Sequence, residues 1–182
     1  MSGSDGGTAG DPVGDVAREM RQGAGEELRA DAEENERLAA QAARRNASLA
    51  DVARDAMFRG DKVALRFAEH TVSGQVVHAS GDLVTIEGAA GTVHVNLGVP
   101  VTLTVVESNA GEGRTPEQGV DSLRARLFEL ELAETEVELR AVGFDGTVRG
   151  RVAVVATDHV VLRTGDGNLH VAFAAVESVL ER

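Results

Sequence analysis

The chain contains no cysteine, tryptophan or tyrosine, and its aromatic residues amount to five phenylalanines among 182 residues. Without cysteine, disulfide bonds, thiolate nucleophiles and cysteine-ligated zinc sites are all excluded. Because hydrophobic residues still make up 42% of the sequence, we expect cores built mainly from valine, leucine and alanine. Proteins that bind single-stranded nucleic acid stack its bases on aromatic side chains, and this composition supplies few of them.

Positive charge is also scarce. The sequence has 18 Lys and Arg residues against 30 Asp and Glu residues, a net charge of −12. An acidic surface disfavours non-specific contact with phosphate backbones or anionic lipid. No apolar run approaches the roughly 18–20 residues that span a bilayer, and the first residues lack the basic and apolar regions of a signal peptide. We therefore expect a cytoplasmic protein without a membrane partner.

An internal repeat organises the chain. Residues 74–97 recur as residues 150–173 at a constant offset of 76, so that Asp82 corresponds to Asp158 and His94 to His170. Upstream, residues 63–66 recur as residues 137–140 at an offset of 74. Similarity at a fixed offset indicates two copies of one structural unit.

Each copy has the pattern of five short β-strands, because β-branched residues dominate and glycine separates the runs. In the first copy the predicted strands span residues 62–67, 71–79, 83–87, 92–97 and 101–106, and residues 136–182 repeat the pattern. In the second strand of each copy, apolar residues follow the glycine by two and five positions. A regular strand cannot bury both on one face, so we expect a bulge or sharp bend there.

A helix is predicted ahead of each set of strands. Ser48 and Asp51 form a capping-box pattern at the start of a helix over residues 48–58. In the second copy, Thr115 and Pro116 predict a helix start, and the helix is expected to end near Ala133. Its apolar stripe consists of Val120, Leu123, Leu127 and Leu130.

The composition divides the chain into five segments. Residues 1–25 are predicted to be a disordered acidic tail, and residues 26–47 a lead-in helix. That helix is either a solvated element or a weak coiled coil or partner-binding helix. The first helix and barrel span residues 48–106, a linker spans 107–115, and the second helix and barrel span 116–182. The predicted fold class is α+β, mainly β: two tandem five-stranded small barrels, each preceded by a helix.

The order of elements resembles the Sm-like and SH3-like small barrels. The resemblance depends on the helix before the strands, on Gly74-Gln75-Val76 and Gly150-Arg151-Val152 in the bent second strands, and on Asp82 and Asp158 before the third strands. The whole chain also resembles two-barrel proteins of actinobacteria that have no established activity. In the Sm-like pattern an Asp and an Asn flank this turn and help to bind RNA. Here Val84 and Val160 occupy the Asn position, which weighs against RNA binding.

The most conspicuous histidines are His94 and His170, which occupy equivalent positions in the fourth strands. The neighbouring valines and leucine are expected to point inward, so both imidazoles are predicted to face outward. A metal site needs three or four converging ligands, and no suitable spacing supplies them. We expect solvent-facing or paired histidines, with no metal and no cofactor.

The densest basic cluster outside the helices comprises Arg149, Arg151 and Arg163. One interpretation is a surface that contacts phosphate groups or a partner. The other is local ion pairing, because Glu136, Glu138 and Asp145 are near in sequence.

The sequence contains no Gly-rich phosphate loop, no nucleophile–base pattern with supporting context and no paired catalytic carboxylates. We therefore predict a non-enzymatic adaptor or regulator that binds another protein or itself. One alternative is an Sm-like nucleic-acid-binding protein that uses the arginine cluster. A second alternative is a small-ligand sensor, since barrel mouths commonly form pockets.

Overall fold

The fold is described from a computed structural model, which describes residues 32–109, 113 and 119–182. The chain divides into two compact units, Met1–Asn46 and Ala47–Arg182. In the first unit, helix α1 spans residues 32–46 and is exposed at every position. The predicted disordered tail and the predicted helix start at residue 26 lie outside the described residues, as does most of the predicted linker. None of the described helices is long and apolar enough to cross a membrane.

Helix α2, Leu49–Arg59, confirms the predicted capping box. The hydroxyl of Ser48 accepts a hydrogen bond from the backbone N–H of Asp51, and the Asp51 carboxylate accepts one from the backbone N–H of Ser48. Gly60 ends the helix in the left-handed conformation, with φ of 71°, which glycine adopts without steric cost. The alanines of helix α2 and its Met57 are buried against the first set of strands.

Helix α3, Leu123–Leu132, begins later than predicted. The expected start at Thr115 lies outside the described residues, but residues 119–122 are described and are not helical. Ser122 is the N-cap and accepts a hydrogen bond from the N–H of Ala125. The predicted stripe is confirmed for Leu123, Leu127 and Leu130, which are all buried, and the predicted end is confirmed by the C-cap at Ala133.

The described residues contain ten strands in antiparallel pairs, five after α2 and five after α3, in the order that the repeat predicts. The first copy supplies five strands, whose ends agree with the prediction to within one residue: β1 Lys62–Arg66, β2 Thr71–Ser80, β3 Leu83–Gly88, β4 Gly91–Asn96 and β5 Thr102–Glu107. The second copy supplies the other five: β6 Glu136–Ala141, β7 Val148–Val155, β8 His159–Thr164, β9 Gly167–Ala172 and β10 Val176–Glu181. The fold is therefore α+β with a mainly antiparallel sheet.

All ten strands belong to one sheet, with the order β5-β1-β2-β3-β4-β10-β6-β7-β8-β9. Each copy keeps the same internal order, since β10-β6-β7-β8-β9 repeats β5-β1-β2-β3-β4. The prediction of two closed barrels is corrected at one point. Instead of returning to β5, strand β4 pairs with β10 of the second copy. Neither five-stranded set closes, because β4 and β10, the strands that would pair with β5 and β9 to close them, already pair with each other.

The predicted bulges are present at matching places. The register shifts between Val76 and His78 on β2, and between Val152 and Val154 on β7. The preceding glycines are needed for close backbone approach. A Cβ atom on Gly74 would lie 2.2 Å from the carbonyl oxygen of Glu87, and one on Gly150 would lie 2.6 Å from that of Arg163.

Each copy has its own hydrophobic core. Helix α2 covers a core that includes Leu65, Val84 and Ile86. Helix α3 covers a second core that includes Leu139 and Leu162, and into which Leu83 of the first copy also packs. The cores are built mainly from valine, leucine and alanine, as the composition predicted.

Candidate functional site

The two copies meet where β4 runs antiparallel to β10, and we call this pairing the junction. Val95, His94 and Val93 lie opposite Ser178, Val179 and Leu180. Pairing on both sides buries the last four residues of β4. The junction is thus a continuous sheet of the kind found inside one domain, and it positions side chains from both copies.

His94 lies at the centre of the junction and is 1% exposed. The prediction that it faces solvent is therefore wrong. Its Nδ1 atom is 3.0 Å from the hydroxyl of Thr85, and its Nε2 atom is 2.5 Å from a carboxylate oxygen of Glu181 on β10. Residues far away in sequence cover the imidazole, and no local pattern could signal their presence.

Arg126 on helix α3 completes this polar cluster. Its guanidinium donates to Glu181 at 2.6 Å and to Glu129 at 2.6 Å, and its Nε atom is 3.1 Å from Nε2 of His94. One imidazole nitrogen cannot donate to Glu181 and accept from Arg126 at once. We assign the proton to Nε2, which donates to Glu181 at the shorter distance, while the Thr85 hydroxyl donates to Nδ1.

The cluster favours a neutral imidazole and a charged carboxylate. Burial lowers the pKa of His94, and the positive charge of Arg126 lowers it further against the opposing effect of Glu181. Burial alone would raise the pKa of Glu181, but hydrogen bonds from His94 and Arg126 and the charge of Arg126 hold it below its usual value. The cluster therefore connects helix α3 and strand β4 to strand β10 through hydrogen bonds to Glu181.

Part of this polar cluster lines a cleft of about 290 Å³ beside the junction. Its walls include Thr85, His94 and Arg126. Among the residues that the structure describes, no three His, Asp or Glu side chains converge as a metal site would require. The cleft offers charge and hydrogen-bonding groups, but no cluster of metal ligands.

A second set of contacts attaches the segment before α3 to the first copy. Asp82, in the turn between β2 and β3, accepts a hydrogen bond from the N–H of Leu123 at 2.8 Å. Nearby, Ser80 donates to Asp121 at 2.9 Å, and the ring of His78 lies 2.8 Å from the carbonyl oxygen of Val120. The sequence placed Asp82 ahead of the third strand, but its contact with the start of a helix 41 residues away was not predicted.

His170, the counterpart of His94, lies in a different environment. It is exposed on β9, as predicted, and its ring is 5.2 Å from that of His159. The structure does not bring His94 and His170 together, because β4 is in the middle of the sheet and β9 is at its end.

The arginine cluster is placed on β7 and β8. Arg149 forms the ion pair with Glu136 that the spacing of charges predicted, at 2.8 Å. Arg151 and Arg163 lie directly opposite each other across the strands. They share a shallow surface with Glu131 and Glu134, so acidic groups border this basic pair.

The two ends of the sheet are β5 and β9. Among the residues that the structure describes, each pairs on one side only, with β1 and β8 respectively. Strand β9 contains no Asp, Glu, Lys or Arg, and the one such residue in β5 is Glu107 at its end. Within this described part of the chain, both ends therefore present unpaired backbone groups without the lysine or proline that commonly protects an edge strand.

The sequence matches no protein-family model, and no curated protein matches it either.

Proposed function

We propose that the chain is a non-enzymatic protein-interaction module, an adaptor or regulator, formed by two tandem five-stranded units of the small-barrel type. The observation that carries this proposal is the pair of open, weakly charged sheet edges at β5 and β9. An edge strand with free N–H and C=O groups can add a strand from another polypeptide, and the backbone hydrogen bonds supply affinity.

An exposed apolar side chain on one of these edges supports the same role. Val106 on β5 is 55% exposed. It would lose contact with water if a partner strand covered it, and burial of apolar surface favours association.

The polar cluster at the junction supports a structural role over catalysis. Thr85, His94 and Glu181 follow the order hydroxyl, imidazole, carboxylate that activates a nucleophile in hydrolases. However, Thr85 is 7% exposed, and β3 pairs with β2 on one side and β4 on the other. The backbone N–H groups of β3 are engaged in the sheet, whereas acyl transfer needs free donors aimed at a developing oxyanion.

The test is co-purification with the full-length tagged chain from its native lysate, with and without nuclease treatment. The protein compared with the parent is a double lysine variant, Thr104→Lys and His170→Lys, with one substitution at an exposed position on each edge. We expect the parent to retain nuclease-resistant partners, which include untagged copies of the chain. We expect the double lysine variant to lose them. Partners that nuclease removes would support the nucleic-acid alternative, and identical recovery with both proteins would contradict binding through the edges.

A further inference from the structure

We infer that the partner at the open edges is a second copy of this chain, bound head to tail so that β9 of one copy pairs with β5 of the next. This inference rests on the proposed function and identifies its partner. It is based on the junction inside the chain, which pairs the fourth strand of one repeat with the fifth strand of the other.

The repeat makes the two open edges the counterparts of the two strands at the junction. Strand β9 lies 76 residues after β4, and the strand pairings fix the correspondence of β5 with β10. Leu103 lies opposite Leu65 in the first copy, as Val179 lies opposite Leu139 in the second. The free edges are thus the same two strand positions that already pair once within the molecule.

The internal register can be transferred to the contact between copies. At the junction, Leu180 lies opposite Val93 and Val179 opposite His94. Their counterparts place Thr104 opposite Leu169 and Leu103 opposite His170 of the neighbouring copy. Leu169 is half-buried and Thr104 and His170 are exposed, so all three side chains remain accessible for this pairing.

The helix contact across the junction also has an unused counterpart. Asp82 caps helix α3, whereas the side chain of Asp158, in the matching turn, bonds the neighbouring His159 and reaches no helix among the described residues. The turns have the same backbone arrangement, since the carbonyl oxygens of Asp82 and Asp158 accept from Leu97 and Phe173 respectively. In the head-to-tail contact, Asp158 of one copy is placed to cap helix α2 of the next at Leu49, the counterpart of Leu123.

The contact between copies is more apolar than the junction. Val52 stands where α3 has Arg126, and Val105 stands where β10 has Glu181. Val52 is 39% exposed, and in the head-to-tail contact it would approach His170 of the neighbour. The half-buried ion pairs that Arg126 forms at the junction have no counterpart in this set, so geometry and apolar burial remain as the stabilising contributions.

Such a contact is heterologous, because each copy uses a different edge on each side, and it either closes into a ring or extends as a filament. Sedimentation of the full chain over a range of concentrations tests it. We expect species larger than the 19.0 kDa monomer. Thr104→Lys alone and His170→Lys alone should each give monomers, because each leaves only one usable edge.

A one-to-one mixture of these two variants is the decisive sample. The Thr104→Lys chain keeps an intact β9 and the His170→Lys chain keeps an intact β5, so we expect a complex of about twice 19.0 kDa that stops growing. Continued association of either variant alone would overturn the head-to-tail pairing, because it would require β9–β9 or β5–β5 contact.

A variant that is expected to associate more strongly complements the lysine variants, because a misfolded variant would also lose association. Thr104→Leu introduces on β5 the leucine that β10 carries at the equivalent position, Leu180. The variant should associate at a lower concentration than the parent. A monomeric parent together with a monomeric Thr104→Leu variant would overturn the inference. If the parent nevertheless retained nuclease-resistant partners that the double lysine variant loses, the proposed function would stand without self-association. If those partners were missing as well, both proposals would fail.

Discussion

The carboxylate of Asp82 caps a helix that belongs to the other repeat, through a 2.8 Å hydrogen bond from the backbone N–H of Leu123. The first N–H groups of a helix have no partner inside the helix, so an external acceptor stabilises its start. Together with the pairing of β4 and β10, this bond fixes the second repeat against the first at both a helix and a strand.

Replacement of Asp82 by alanine is expected to destabilise the chain by about 0.5–2 kcal/mol, the range for loss of a helix cap. Asp158→Ala is the matched control, because the Asp158 side chain bonds its neighbour His159 and, in the described part of the chain, caps no helix. Denaturant unfolding of dilute protein measures both. Equal midpoints for the two alanine variants would show that the Asp82–Leu123 bond contributes nothing specific.

Leu127→Ala removes a fully buried side chain from the second core and is expected to cost about 2–5 kcal/mol. Leu132→Ala is its control on the same helix, since Leu132 is 71% exposed. Thermal melting of the full chain should show a large decrease for the first variant and little change for the second. Similar melting of both would mean that the stripe of α3 does not pack against the sheet.

Gly74→Ala and Gly150→Ala are each expected to lower stability by about 1–3 kcal/mol, because the new methyl group would press on the backbone of the adjacent strand. The control is Gly165→Ala, where the added atom meets nothing within 4 Å. Chemical unfolding provides the comparison. If the two strand variants were as stable as the control, the bulged strands would not approach their neighbours so closely.

The buried His94 predicts a dependence of stability on pH. Its pKa is lowered in the folded chain, so below the usual value of 6.5 the unfolded chain takes up a proton first, and stability falls as the pH decreases further. The contribution is complete above 6.5. We expect the parent to lose more stability between about pH 7.5 and about pH 5.5 than His94→Gln does.

His170→Gln is the control for this experiment, since it changes the exposed counterpart on β9. His70 also has a pKa lowered by burial, but it is present in all three proteins, so its effect cancels in the comparison. Chemical denaturation at the two pH values gives the free energies of unfolding. The same loss in the parent and in His94→Gln would contradict a neutral, buried His94.

Local features of the fold could be predicted from the sequence because their causes are local. The capping pair Ser48 and Asp51 and the stripe ending at Leu130 depend on residues within one or two helical turns. The bulges could be predicted from the spacing of Val76 and Ala79 after Gly74. Each of these signals is contained in fewer than about ten residues, within the length of one element.

The junction could not be predicted in this way. Each repeat has the same strand pattern, so the sequence does not distinguish β4 closing onto β5 from β4 pairing with β10. The burial of His94 depends on Glu181, 87 residues away. Periodicity places a side chain on one of two faces of a strand, but only the neighbours across the junction determine whether that face is covered.

Hydrogen–deuterium exchange of the parent chain in dilute and concentrated solution is the most direct test of association through the two sheet ends. Exchange reports the hydrogen bonding of individual strands, and β4 and β10 should be protected at both concentrations. Protection of β5 and β9 should rise together on concentration, as their free N–H groups find partners. Unchanged exchange in β5 and β9, or a rise in protection confined to other elements, would contradict association through the two sheet ends.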